Sequence, residues 1–192
     1  MGIVSQVRAG RKPAAMAASL ALAAFGLAAC GSSSDSAPAT AAQAAPCPAM
    51  SVLADAASLA RFAEGAPRTP DSVLYEIEMI DAKVLCEPAA NGQVVANVGM
   101  SIYVRRGPAG RDLTGVTVPF FLALTETNTR VISRASYETQ VALDKGAASG
   151  GVVEHLTVTV PLDGKSPYAF ELIGGIQISA AELADERKRR GK

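Results

Sequence analysis

Few side chains in this chain of 192 residues could do covalent or acid–base chemistry, and their spacing restricts them further. His155 is the one histidine. It lies in an alternating segment, opposite Leu156 and Val158, on the face that meets solvent. A Ser–His–Asp arrangement would have to use it, yet no Gly-x-Ser-x-Gly accompanies it. Glu76 and Glu78 share one strand face, as the paired carboxylates of a glycoside hydrolase could. Two acids on an exposed strand face are ordinarily solvated, and the chain has no tryptophan to stack on a sugar. Gly164-Lys165-Ser166 ends like a phosphate-binding loop, but the first glycine of that motif would fall on Thr159, inside a strand. Cys47 and Cys86 show neither Cys-x-x-Cys nor zinc-ligand spacing. No catalytic residue, no metal site and no cofactor is expected, and the reading is that the chain is not an enzyme.

Cationic groups cluster in two places. Arg105, Arg106 and Arg111 surround Gly107-Pro108, and Arg187, Lys188, Arg189, Arg190 and Lys192 crowd the end. Overall, 18 basic and 18 acidic side chains balance. Three of the basic ones lie in residues 1–29 and five in residues 187–192, which leaves residues 30–186 with a formal charge of −8. An acidic body does not suit a phosphate backbone, so no nucleic acid partner is expected. The arginine loop, including Arg105, Arg106 and Arg111, is a candidate contact for an acidic partner. Arg187, Lys188, Arg189 and Arg190 could instead touch anionic lipid at about 1 kcal/mol per residue near the surface, or form a solvated, fraying end.

The third thiol sits in a different context. Arg8, Arg11 and Lys12 precede an apolar run over residues 14–29, which is 16 residues long. A spanning helix needs about 20, so the run reads as the apolar core of a secretory signal. It ends Leu27-Ala28-Ala29-Cys30-Gly31. Small residues before a cysteine, directly after such a run, resemble the lipobox of bacterial lipoproteins. The resemblance implies a diacylglyceryl thioether on Cys30, cleavage just before it and a second acylation at the new terminus. Two or more acyl chains anchor stably where one binds marginally. Under the enteric sorting rule of that family, Gly31 permits export to the outer membrane. The expected place is therefore the bacterial cell envelope, lipid-anchored by acyl chains on Cys30, at the outer membrane and facing the periplasm.

The elements that carry these groups follow from pattern. Residues 1–29 are the signal peptide, and residues 30–46 a lipidated tether of low complexity that cannot bury a core. With Cys30 modified, Cys47 and Cys86 remain in an oxidising compartment, where a disulfide is expected, closing a loop of roughly 40 residues worth about 3–4 kcal/mol. Residues 47–178 form the body. Residues 72–80, 94–104, 152–162 and 168–178 alternate apolar and polar, with Asn91-Gly92 as a hairpin turn. Residues 116–125 make a nearly continuous apolar strand, in which Pro119 suggests an edge or bulge. Gly174-Gly175 suggests a bulge as well. Residues 51–65 suit a helix or a strand leading into a sandwich, and the strand is favoured. Residues 179–192 give a short helix opened by the Ser179–Glu182 capping box, then a basic tail. The expected fold is all-β, an antiparallel immunoglobulin-like sandwich with a short C-terminal helix; a transport barrel is the alternative.

The order of Cys47-Pro48, Leu74-Tyr75-Glu76, Arg106-Gly107-Pro108-Ala109, Pro119-Phe120-Phe121-Leu122-Ala123 and Leu172-Ile173-Gly174-Gly175-Ile176-Gln177-Ile178, behind the lipobox, resembles a group of uncharacterised alphaproteobacterial lipoproteins. The group tends to carry an aromatic at the place of Ile176 and usually lacks so basic an end. The resemblance implies a fold and a compartment, with no reaction attached. Two functions fit: a non-enzymatic structural or partner-binding domain that contacts another envelope protein, or a small apolar ligand or lipid carrier. The carrier would line the space between sheets with Phe120, Phe121, Tyr168 and Phe170.

Overall fold

The computed structural model describes residues 45–127 and 129–191. The signal segment, Cys30 and the tether up to residue 44 lie outside the described residues. Eight strands and one helix follow in order: β1 Ala49–Val52, β2 Ser58–Phe62, β3 Val73–Ala89, β4 Gln93–Arg106, β5 Gly115–Glu126, β6 Arg130–Ala142, β7 Ser149–Pro161, β8 Phe170–Ile176 and α1 Ala180–Arg189. One sheet has the order β1-β8-β5-β6 and the other β2-β3-β4-β7. Every pairing is antiparallel except β1 with β8. The chain changes sheet between β4 and β5, between β6 and β7, and again before β8, which is the Greek-key path of an immunoglobulin-like sandwich. Within residues 51–65 the strand reading holds for 51–52 and 58–62: β1 in one sheet passes through a single 3-10 turn, Ala54–Ala56, and continues as β2 in the other, which ends at Phe62 before a turn.

Alternation builds the core. Ile77, Met79, Val98, Met100, Ile102 and Val104 face Val118, Phe120, Leu122, Leu124, Leu172 and Ile176, all buried in one cluster. The Asn91-Gly92 turn forms as expected, with φ of 60° and 67° at its two central residues and Gln93 N–H donating to the Ala90 carbonyl. The strand it closes is longer than its alternation suggests, because the register shifts between Met79 and Asp81. Ile80 is expelled at 60% exposure, and Ala82, Val84 and Cys86 then resume the inward phase.

The local-edge expectation for Pro119 holds, since β5 is paired there only with β6, and the bulge expected at Gly174-Gly175 is corrected. Pro119 lies in β5, a central strand flanked by β6 and β8. Its missing N–H causes no loss there, because β8 ends opposite Phe120 and only Gln177 N–H reaches back, to the Pro119 carbonyl at 2.8 Å. Gly174 and Gly175 make no bulge; both stay in register with β5. They are needed for close approach: a Cβ at Gly174 would lie 2.6 Å from the Met100 methyl, and one at Gly175 would lie 2.8 Å from the Phe121 ring.

The Cys47–Cys86 disulfide is present, with Cα atoms 5.4 Å apart. Cys47 leads into β1 of one sheet and Cys86 belongs to β3 of the other, so the bond ties the two sheets. Ala45 N–H also donates to the Cys86 carbonyl at 3.3 Å. The double variant Cys47→Ser/Cys86→Ser is expected to lose about 4 kcal/mol of unfolding free energy in urea titration. A loss below about 1 kcal/mol would mean that the crosslink constrains nothing.

Candidate functional site

An exposed sheet edge carries backbone groups that need partners. β2 is such an edge, pairing only with β3. Helix α1 lies along its open side. The Ser179–Glu182 capping box starts the helix, with Ser179 N–H donating to Glu182 Oε2 at 2.7 Å and Glu182 N–H donating to Ser179 Oγ at 3.3 Å. One turn later Glu186, 3% exposed, accepts the Ala60 N–H on Oε1 at 2.9 Å. Its Oε2 accepts from Arg189 Nη2 at 2.8 Å. Around this point Arg61 pairs with Glu182, Arg68 with Asp185 at 2.9 Å, and Arg187 with Asp55. Arg190 donates to the Ala54 carbonyl at 2.9 Å and to Ser58 Oγ at 2.7 Å. The fraying cationic tail of the sequence reading is therefore corrected. Arg187, Arg189 and Arg190 are bound to the body, because the body's own acids and carbonyls lie within their reach. Lys188 stays exposed, with no ion pair among the described residues.

The two basic clusters meet on one carboxylate. Glu76 of β3 stands directly opposite Arg105 of β4. Arg105 grips Glu76 Oε2 through Nε and Nη2, and Arg189 of α1 approaches Oε1 at 3.4 Å. The hydrogen bond and charge of Glu76 raise the Arg105 guanidinium above its ordinary value. Beside this triplet runs an open groove of about 450 Å³. Phe62, Pro70, Val73 and Pro108 supply its apolar part, with Arg68, Arg105 and Arg189 at its sides. The Arg68 guanidinium stacks over the Phe62 ring, 5.3 Å from its centroid.

Arg106 has a different role from its neighbour. Its guanidinium donates to six carbonyls, those of Gly110, Arg111, Leu113, Leu143, Asp144 and Ala147. It fastens the β4–β5 and β6–β7 connections together, and the same side chain lines the groove. The Arg111 side chain is exposed and makes no ion pair among the described residues. His155 sits on the outer face of β7 beside Gly99, as the alternation predicts. The four aromatics of the carrier reading are not brought together. Phe120 and Phe170 fill the core, Phe121 faces the opposite side under Ala56, and Tyr168 is 73% exposed.

Sequence reasoning missed Glu186 and the convergence of Arg105 with Arg189 on Glu76. The hairpin register alone would set Glu76 against Arg106, and the bulge at Ile80 brings Arg105 there instead; nothing in the sequence signals where α1 docks. The chain matches no protein-family model, no curated protein and no solved structure.

At the other end of the sandwich, Glu126 accepts from Lys165 Nζ and from Arg130 Nε at 3.3 Å. The Lys165 hydrogen bond, foremost, holds this carboxyl below the ordinary 4.5. A depressed folded value means that the pair adds stability above the unfolded value and loses it as pH falls through the folded one. The Glu126 carboxyl carbon, followed by NMR, is expected to titrate with a midpoint below 4.5; a midpoint above that value would deny the pairing. For the latch, Glu186→Ala is expected to destabilise by about 2–3 kcal/mol in urea unfolding, since it strands a buried donor. Glu186→Gln, which keeps an acceptor for Ala60 N–H, should cost less. Equal losses for the two variants would remove that hydrogen bond from the account.

Proposed function

We propose that this chain is a lipid-anchored protein of the bacterial envelope whose sandwich binds a partner without transforming it. The acyl chains on Cys30 would hold it at the outer membrane, and the body would face the periplasm on the tether of residues 30–46. Treated as a coil, that tether has an r.m.s. reach of about 20–25 Å.

One observation carries the reading. The described chain begins at Ala45 against Cys86, near the end of β3, while the arginine groove lies around Glu76, near the strand's start. Ten residues of strand separate them, about 30 Å. A body held through its N-terminal side would thus present the groove at the far end, free to meet another envelope component. The groove is lined by guanidiniums and its apolar surface is open to solvent, features of a contact surface.

Metabolic labelling with a palmitate analogue should mark the wild type and leave Cys30→Ala unmarked. An unlabelled wild type would end the lipoprotein reading. Affinity capture from detergent-solubilised membranes should then recover a second protein in fixed proportion. Recovery of the chain alone would count against a binding role.

A further inference from the structure

We propose that the groove between β2, β3, β4 and α1 binds a short acidic peptide segment with apolar residues beside its carboxylates. The inference rests on the partner-binding reading above and names the partner's chemistry. Three observations support it. The volume of about 450 Å³ suits a few side chains, not a folded surface. Phe62, Val73 and Pro108 give an apolar floor to cover. Arg68, Arg105 and Arg189 give planar guanidiniums, the donors that match a carboxylate in pairs.

Charge selects the occupant. Arg68, Arg105, Arg106 and Arg189 face the groove; Glu76 lines it, and Asp185 and Glu186 stand behind Arg68 and Arg189, so four guanidiniums meet three carboxylates and one positive charge remains. Residues 30–186 as a whole carry a formal −8, so this is a locally positive spot on an acidic body. A short acidic segment can reach such a spot while avoiding the surrounding acids. An anionic bilayer is a broad surface and would meet them. The groove also stands about 30 Å along β3 from the start of the described chain.

Glu76 defines the specificity from within. Two guanidiniums from different elements grip its carboxylate, so the protein already holds a carboxylate where the partner's would bind. It acts as a built-in competitor: an incoming carboxylate takes Arg105 from Glu76, and Arg105 is free to turn because its side chain is 66% exposed.

Two fluorescein-labelled hexapeptides test this by anisotropy against the full chain in detergent. One alternates phenylalanine with glutamate, and the other has lysine for each glutamate. The wild type should bind the glutamate peptide at least tenfold more tightly, with affinity falling as salt rises. Arg105→Gln should weaken it about tenfold, the effect of losing one charge-assisted hydrogen bond. Glu76→Gln should tighten it several-fold, a gain that a purely structural Glu76 would not give. Equal binding of the two peptides, no binding of either, or weaker binding by a folded Glu76→Gln protein overturns the proposal. So does Arg105-dependent sedimentation with phosphatidylglycerol vesicles without peptide binding, which would make the groove a head-group site. Cys30→Ala should bind the peptide as the wild type does. Loss of acyl labelling with peptide binding intact therefore rejects the anchor alone, and intact labelling without peptide binding rejects the groove alone.

Discussion

A sheet edge inside a folded protein has to be answered, and here the answer is one carboxylate. β2 offers the Ala60 N–H away from β3, and Glu186 takes it. A buried carboxyl group needs further hydrogen-bond partners, and Arg189 supplies one. Arg189 in turn reaches Glu76, which pairs with Arg105. Arg61, Arg68 and Arg187 hold the helix along its length through Glu182, Asp185 and Asp55. The groove exists only because the helix lies where this chain of contacts puts it. The C-terminal segment, polar by composition, is thus part of the folded body by electrostatic pairing and edge capping, with little apolar burial of its own.

The sandwich core was largely legible from alternation, whereas the strand order and the parallel pairing of β1 with β8 were not. The inward residues of β4, from Val94 to Val104, are the ones the period-two pattern selects. The hairpin turn was legible too, because Asn and Gly tolerate the positive φ that a two-residue turn demands. What escaped were places where a neighbour in space reverses a local rule. Gly174 and Gly175 answer to Met100 and Phe121, which lie in other strands.

The site shows the same division. Counting back from the turn pairs Ala89 with Gln93, and an unbroken ladder would have set Glu76 against Arg106. The bulge at Ile80 shifts the register by one, so Arg105 meets Glu76 and Arg106 is released to hold six loop carbonyls. The two adjacent arginines look equivalent in the sequence and acquire opposite tasks from one extra residue, 25 positions away from the nearer of them. Arg189 could not be assigned at all from local pattern, because its partner is 113 residues distant.

The position of the disulfide has a mechanical meaning. β1 is a four-residue strand held in parallel beside β8, and by itself it would be the first element to shear away under tension from upstream. Cys47 stands just ahead of it and is bonded to the long strand β3 in the opposite sheet. A load pulling on the chain before Cys47 therefore passes covalently into a 17-residue strand paired with β4 along its length, and bypasses β1. The shortest strand of the fold is shielded from traction by a bond made two residues before it begins.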